Sequence, residues 1–152
     1  ELSFTLDVEE FQREWNKAKS LEKEGCDREG LKSYERCLEL YRDGFLPDLG
    51  DRWCEESREE YQRLYLTSLR KLASCRLKEG SCEEAVSLYR RYLSREPYSE
   101  EVYRELWRAL KALGLKADIH KDYKELQRLL RRDLGTEMEI ETKKAYEEMV
   151  SS

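Results

Sequence analysis

The feature that most constrains this chain is a pair of residue types that recurs at one fixed spacing. Gly80 and Gly114 are 34 residues apart, and Tyr89 and Tyr123 are also 34 apart. Such a period indicates one supersecondary unit that stacks on its neighbours to bury a shared core. Glycine favours the left-handed conformation that ends a helix, so each unit is predicted to be a helix, a turn at the glycine and a second helix with the tyrosine. The spacing predicts an all-α fold, an array of antiparallel helical hairpins.

The same plan extends towards the start of the chain. Gly25 precedes Gly80 by 55 residues, and Tyr34 precedes Tyr89 by the same distance. Three units are predicted, at about residues 11–44, 66–99 and 100–133. The second unit resembles the tetratricopeptide repeat most closely, because the residues at its expected positions are Leu69, Leu72, Ala73, Gly80, Ala85, Tyr89 and Pro97. Ala73 and Ala85 are small where the two helices of that hairpin are expected to touch.

Local signals place the helix starts. Ser81 with Glu84 has the pattern of a capping box, and Ser99 precedes two glutamates, which favour the positive end of the helix dipole. Asp7 has the character of an N-cap for the first helix.

Two segments depart from the 34-residue period. The 55-residue step exceeds it by 21 residues, which predicts an inserted loop at about residues 43–54. Hydrophobic residues in this loop either anchor it to the core or form an exposed patch for a partner; they are Phe45, Leu46, Leu49 and Trp53. After the third unit, residues of about 141–150 predict a final amphipathic helix, with Thr142, Ala145, Tyr146 and Met149 facing inward. Such a helix is expected to cap the array.

Composition narrows the classes of function. The formal charge of −5 disfavours direct nucleic-acid binding by this part of the protein, because DNA-binding surfaces neutralise phosphate with basic residues. No segment is long and apolar enough for a membrane helix. The 5 cysteines form an odd set without a CxxC pair, which is typical of a reducing cytoplasm. The chain begins with Glu1 rather than methionine, and we expect it to be part of a longer protein.

The chain resembles a known family, the bacterial transcriptional activator domain of SARP-type regulators and related response regulators. The most specific likeness is YRDGFLPDLGDRWCEESREEYQRLYLTSLRKLA, residues 41–73, which contains the inserted loop. Further likeness lies in LDVEEF (6–11), LYRRYLSREPYSEEVYRELWRALKALG (88–114) and LLRRDLGTEMEIETKKAYEEM (129–149). Met138 and Ile140 stand where the family commonly has prolines. A generic tetratricopeptide protein has no reason to carry the inserted segment.

The resemblance implies a role in transcription activation. In the family this domain follows a winged helix-turn-helix DNA-binding domain. The implied partners are that DNA-binding domain, a second copy of the regulator, which would make a homodimer, or RNA polymerase.

The sequence gives little indication of a catalytic site. The only histidine, His120, stands in a helix beside Lys121 and Asp122, without an obvious nucleophile. Paired carboxylates fall mostly in first turns of helices, where the dipole explains them. The cysteines are too scattered for a structural zinc site. We therefore expect no catalytic residue, no metal and no cofactor.

Basic residues suggest a partner-binding groove. By their offsets, six residues are expected on the first-helix positions that line the concave face of such arrays: Arg70, Ser74, Lys78, Arg104, Arg108 and Lys111. Guanidinium groups at helical spacing bind carboxylates, so an acidic peptide, a neighbouring acidic domain or an anionic ligand fits such a groove. A solvated charged face is the simpler interpretation.

A second basic stripe, at positions 121, 124, 128, 131 and 132, is interpreted either as a solvent-facing surface or as a surface beside DNA bound by the neighbouring domain.

These observations predict the regulatory protein–protein interaction domain of a bacterial transcriptional activator, located in the cytoplasm. Two alternatives stay open. One is a general tetratricopeptide scaffold that binds an acidic peptide. The other is a small-ligand sensor with a pocket lined by Tyr103, Trp107 and the basic residues.

Overall fold

A computed structural model describes residues 13–20, 27–41 and 55–151 of the chain. These residues form seven α-helices and one π-helical turn, and the part that the structure describes contains no strand. The all-α prediction is confirmed. The α-helices are α1 (13–20), α2 (Asp27–Tyr41), α3 (Glu55–Lys78), α4 (Cys82–Arg95), α5 (Glu100–Ala112), α6 (Lys116–Leu129) and α7 (Ile140–Ser151).

The chain divides into two compact units, Glu1–Leu72 and Ala73–Ser152, so the predicted single domain over residues 1–152 stays a prediction. In the first unit, α1 and α2 meet where the rings of Trp15 and Tyr34 lie edge to face, with centroids 5.7 Å apart. Ala18 and Cys37 are fully buried in this unit. Tyr34, at the position predicted from the repeat, therefore does face inward.

In the second unit, the end of α3 packs against α4 through two alanines. Ala73 and Ala85 are both fully buried, as expected where the helices of a hairpin touch. The turn between the helices depends on Gly80, whose φ of +88° belongs to the left-handed region. The next amide, of Ser81, donates to the Arg76 carbonyl at 2.8 Å, which closes the end of α3.

The predicted helix starts are at the right residues, but the capping box is wrong. α4 begins directly after Ser81 and α5 directly after Ser99, yet neither hydroxyl makes a side-chain capping hydrogen bond. Glu83 and Glu84 lie in the first turn of α4, so the charge–dipole interaction supports this helix start instead. An extended N-cap geometry is needed to aim the hydroxyl at the N2 or N3 amide, and the Ser81 ψ of 64° departs from it.

α5 and α6 form the next hairpin, closed in the same way at Gly114, whose φ is +75°. α5 is the most buried helix of this unit, because α4, α6 and α7 all pack on it. Its buried residues recur at helical spacing; they are Val102, Tyr103, Leu106, Trp107, Ala109 and Leu110. The core of the second unit is therefore built around α5.

The connection from α6 to α7 begins with the π-helical turn Leu130–Leu134. It ends at Gly135, whose φ of 62° is left-handed, and the Thr136 amide donates to the Leu130 carbonyl at 3.2 Å. Met138 is only 4% exposed and belongs to the core. The residue that stands where the family often has proline thus anchors the connection by burial.

α7 covers α5 and α6, and Tyr146, Met149 and Val150 pack against the core. The capping helix expected at about 141–150 is therefore present as Ile140–Ser151. α3 differs more from expectation, since it begins at Glu55 rather than near residue 66. The predicted loop at about 43–54, with Phe45, Leu46, Leu49 and Trp53, lies outside the described residues, as does Asp7.

Candidate functional site: a basic stripe on α5

Three of the predicted groove residues form one stripe along α5. Arg104, Arg108 and Lys111 are spaced i, i+4 and i+7, so they lie on one side of the helix over two turns. We call these three residues the α5 stripe. Arg108 and Lys111 are exposed, while Arg104 is half-buried. The opposite side of α5 is the buried core face described above, so the core fixes the direction in which the stripe points.

Arg104 is held by the segment that leads into α7. Its guanidinium Nη1 lies 3.4 Å from Glu139 Oε2 and donates to Thr142 Oγ1 at 3.2 Å. Thr142 itself is fully buried, so the hydroxyl is a fixed acceptor for the arginine. The Glu139 amide donates to Glu100 Oε1 at 2.8 Å, which ties this segment to the start of α5.

The other two residues of the stripe, Arg108 and Lys111, differ from Arg104 in their surroundings. Among the described residues, no carboxylate lies within ion-pair distance of Arg108 or Lys111. Charge in this unit is balanced overall, because residues 73–152 contain 16 Lys and Arg and 16 Asp and Glu. The acidic excess lies in residues 1–72, with 13 Lys and Arg against 18 Asp and Glu. Arg108 and Lys111 are therefore exposed positive charges on a unit whose net charge is zero.

The other three predicted groove residues come from α3. Ser74 is half-buried and Lys78 is exposed, both in the second unit. Arg70, also half-buried, belongs to the first unit, so the six residues are divided between the two units. The stripe on α5 is the part of the predicted groove for which the structure gives contacts.

An aromatic layer lies beneath α7. The rings of Tyr123 and Tyr146 stack with centroids 3.8 Å apart and an interplanar angle of 13°. Trp107 packs against both, at 6.3 Å from Tyr123 and 6.2 Å from Tyr146. Trp107 is fully buried and Tyr103 is 6% exposed, so these residues belong to the core and do not line an open pocket. The pocket predicted for a small-ligand sensor stays a prediction.

Trp107 carries one unusual feature for a buried residue. Its indole Nε1 is buried and has no hydrogen-bond partner within the described part of the chain. An unsatisfied buried donor costs about 1–3 kcal/mol. The aromatic contacts of the ring must outweigh this cost.

His120 lies at the outer edge of the same layer. It is exposed, its ring is stacked near Tyr146, and its Nδ1 lies 2.5 Å from the Tyr146 hydroxyl. The hydroxyl donates when this nitrogen is unprotonated and accepts when it carries the proton. The only histidine of the chain therefore joins α6 to α7 and has a tyrosine, not a cysteine or serine, as its contact.

The second basic stripe is largely neutralised by its own neighbours. The guanidinium groups of positions 128, 131 and 132 each make two hydrogen bonds to one carboxylate, respectively those of Glu125, Glu137 and Asp133. The hydrogen bond from the arginine lowers the pKa of each of these carboxyl groups, and for Asp133 the pKa falls to about 2. Tyr98 adds a hydrogen bond to Asp133 at 2.8 Å. Lys121 and Lys124 are the two cations of this stripe that make no ion pair with a carboxylate of the described residues.

An ion pair joins α4 to α6, in which the arginine side chain is 42% exposed and the aspartate is largely shielded. Arg90 Nη1 donates to Asp122 Oδ1 at 2.8 Å, and the Asp122 side chain is 12% exposed. The other oxygen, Oδ2, is buried without a hydrogen-bond partner among the described residues. Burial first and the Asp122 charge second raise the pKa of nearby Tyr103. This pair links successive hairpins and has the character of a structural contact.

Cysteines and carboxylates do not assemble into a metal site in the described ranges. No group of three His, Cys, Asp or Glu side chains there has the geometry to hold a metal ion. Cys37 is fully buried, and burial, with a smaller effect of Glu14, raises the pKa of its thiol to about 12. Cys26 and Cys54 lie outside the described residues. Within the described helices, none is long and apolar enough to cross a membrane.

Comparison with known families identifies the class to which this architecture belongs. The family model of the bacterial transcriptional activator domain matches residues 6–150. The match covers almost the whole chain, so the chain belongs to the bacterial transcriptional activator domain family, and the resemblance found in the sequence is confirmed. No curated protein and no solved structure matches the chain significantly. The chain is thus a domain of the kind found in transcriptional activators.

Sequence reasoning missed the partners of Arg104. Glu139 and Thr142 lie 35 and 38 residues after it, about one repeat further along the chain. The 34-residue period could have predicted these contacts, since residues one repeat apart meet on the first helices of neighbouring units. The His120–Tyr146 contact had no comparable signal, because it depends on how α7 is rotated against α6.

Proposed function

We propose that this chain is the regulatory protein–protein interaction domain of a bacterial transcriptional activator, in which it follows a winged helix-turn-helix DNA-binding domain. The observation that carries this proposal is the family match over residues 6–150. Regulators with this domain work with DNA-binding domains and the transcription machinery. In this role the domain binds the DNA-binding domain of the same regulator, a second copy of the regulator or RNA polymerase.

The α5 stripe is the surface that we assign to this role. Arg108 and Lys111 are exposed and one turn apart, on the side of α5 away from the core. Charge complementarity at such a surface speeds association and selects partners with the opposite charge.

We further propose that the domain acts without catalysis, without a cofactor and in the cytoplasm. His120 is stacked near Tyr146 and makes a hydrogen bond with its hydroxyl, which supports a structural role for the one histidine. The domain leaves DNA binding to the neighbouring domain, because the second basic stripe is bridged to its own carboxylates and the whole chain has a charge of −5.

A reporter experiment in the full-length regulator tests the proposed function. The double variant Arg108→Glu/Lys111→Glu is compared with Lys121→Glu/Lys124→Glu, which makes the same change of charge on exposed residues of α6. We expect the first variant to reduce promoter activation severalfold while DNA binding and folded stability remain those of the parent. Equal activation by the parent and both variants would rule out the α5 stripe, and full activation after deletion of the domain would rule out the function itself.

A further inference from the structure

Glu139 is a carboxylate of this chain that already contacts the α5 stripe. Its Oε2 lies 3.4 Å from the Arg104 guanidinium. Its backbone is fixed independently of that contact, since its amide donates to Glu100 and its carbonyl accepts the amides of Thr142 and Lys143 at 3.1 Å. The carboxylate therefore comes to Arg104 from a rigid main chain.

The contact between Glu139 and Arg104 is weak by its geometry. Charged N–H···O hydrogen bonds are normally about 2.7–2.9 Å long, shorter than the 3.4 Å found here. The Glu139 side chain is 58% exposed, so water screens the pair. Arg104, in contrast, is 21% exposed and keeps its position through the buried Thr142 hydroxyl. The position of the arginine therefore does not depend on Glu139 alone.

From these contacts we infer that the α5 stripe binds an extended acidic segment of a partner protein, and that Glu139 competes with this segment for Arg104. The inference rests on the proposed function and names the chemistry of its partner. The bound segment places one carboxylate on Arg104 and another on Arg108, while Lys111 adds attraction at the end of the stripe. Glu139 lowers the affinity until it is displaced.

Helix geometry sets the spacing of the acidic residues. Positions four apart on a helix are separated by about 6 Å along its axis, at about 1.5 Å per residue. In an extended strand, side chains on one side recur every second residue, about 6.6 Å apart. An acidic residue at every second position of an extended segment therefore matches Arg104 and Arg108. Glu101, which is exposed on α5 one turn before Arg104, disfavours additional acidic residues beyond this match.

Binding of a defined peptide to the whole chain tests the inference. The probe is a fluorescein-labelled peptide of alternating Glu and Ser, measured by fluorescence anisotropy at low salt, with a Gln and Ser peptide as the ligand control. We expect Arg108→Gln/Lys111→Gln to weaken binding by about tenfold or more, since close charge pairs dominate such contacts. We expect Glu139→Gln to strengthen binding by about two- to fivefold, the range of an exposed ion pair.

Glu141→Gln is the matched control for Glu139→Gln. It removes the same charge from an exposed residue two positions away, in the first turn of α7. Equal gains in affinity from both variants would show that general charge, not competition for Arg104, explains the effect, and would overturn the role of Glu139. Amide hydrogen exchange of α7 in Glu139→Gln verifies that the helix stays folded.

The outcomes separate this inference from the proposed function. Equal binding of the Glu and Gln peptides, or no loss in Arg108→Gln/Lys111→Gln, would overturn the acidic partner. The reporter experiment would still report on whether the stripe serves activation, because it does not depend on the chemistry of the peptide.

Discussion

Replacement of Trp107 tests the account of the core most directly. Its side chain is fully buried against Tyr103, Tyr123 and Tyr146, and its Nε1 has no hydrogen-bond partner among the described residues. We expect Trp107→Ala to destabilise the second unit strongly and Trp107→Phe only slightly. Both variants remove the unpartnered indole N–H, so their difference isolates the packing of the aromatic ring, whereas Trp107→Phe against the parent reports on the N–H.

The magnitudes follow from burial. A buried tryptophan removes about 150–250 Å² from water, which at about 25 cal/mol per Å² corresponds to roughly 4–6 kcal/mol. Measured aromatic-to-alanine changes in cores cost about 3–5 kcal/mol, and we expect about 4 kcal/mol for Trp107→Ala. Phenylalanine keeps most of the ring contacts, and removal of the unsatisfied N–H returns about 1–3 kcal/mol against the lost volume. We therefore expect Trp107→Phe to lie within about 1.5 kcal/mol of the parent.

Urea unfolding followed by circular dichroism gives the free energies. Amide exchange in α5 assigns the loss to the second unit. Tyr89→Phe is the comparison variant, because it removes a partnered polar group, the hydroxyl that donates to Glu105 at 3.0 Å. A cost for Trp107→Phe above about 3 kcal/mol, close to that of Trp107→Ala, would refute the reasoning, since it would mean that the indole N–H has a stabilising partner.

Three further predictions concern charged and ionisable groups. Arg90→Met should lower the free energy of unfolding by about 1–3 kcal/mol, because it leaves the Asp122 carboxylate buried without its donor. Arg90→Met/Asp122→Asn should recover part of this loss in urea unfolding. A double variant that is no more stable than Arg90→Met would contradict this. The hydrogen bond from Arg132 lowers the pKa of Asp133 to about 2, so the contribution of this carboxylate to stability is complete above about pH 4 and is lost as the pH falls towards 2. NMR titration of Asp133 checks this, with the unfolding of Asp133→Asn as reference. A titration midpoint near pH 4 would contradict it. Cys37 is fully buried with a thiol pKa of about 12, so it should react with a thiol reagent at pH 8 only when the chain unfolds. Labelling as fast as that of a small-molecule thiol would instead show that Cys37 is accessible in the folded chain.

Much of the fold followed from spacing alone. Gly80 and Gly114 do end helices in the left-handed conformation, and Ala73 and Ala85 do meet inside a hairpin. These positions were predictable because a helix end and a close helix contact each require a particular residue type. The capping box failed for the opposite reason, since Ser81 has the right residue type but a backbone conformation that no sequence pattern specified.

The candidate site was predictable only in part. The helical period placed Arg104, Arg108 and Lys111 on one side of α5, and the structure agrees. The period could not distinguish an arginine held by Glu139 and Thr142 from one that is exposed. That difference arises from the path of residues 135–139, which is fixed by burial of Met138 and by the hydrogen bond to Glu100.

The sequence by itself determined the helical hairpins, the glycine turns between them, the final helix and the family, because each depends on short-range spacing or on residues adjacent in the chain. Only the tertiary structure decided which cations remain available to a partner. The two stripes look alike in sequence, yet three arginines of the second stripe are bridged to carboxylates, whereas Arg108 and Lys111 of the α5 stripe make no ion pair within the described ranges. The physical reason is that an ion pair depends on the position of both side chains, and the partners of an arginine are set by how neighbouring helices pack.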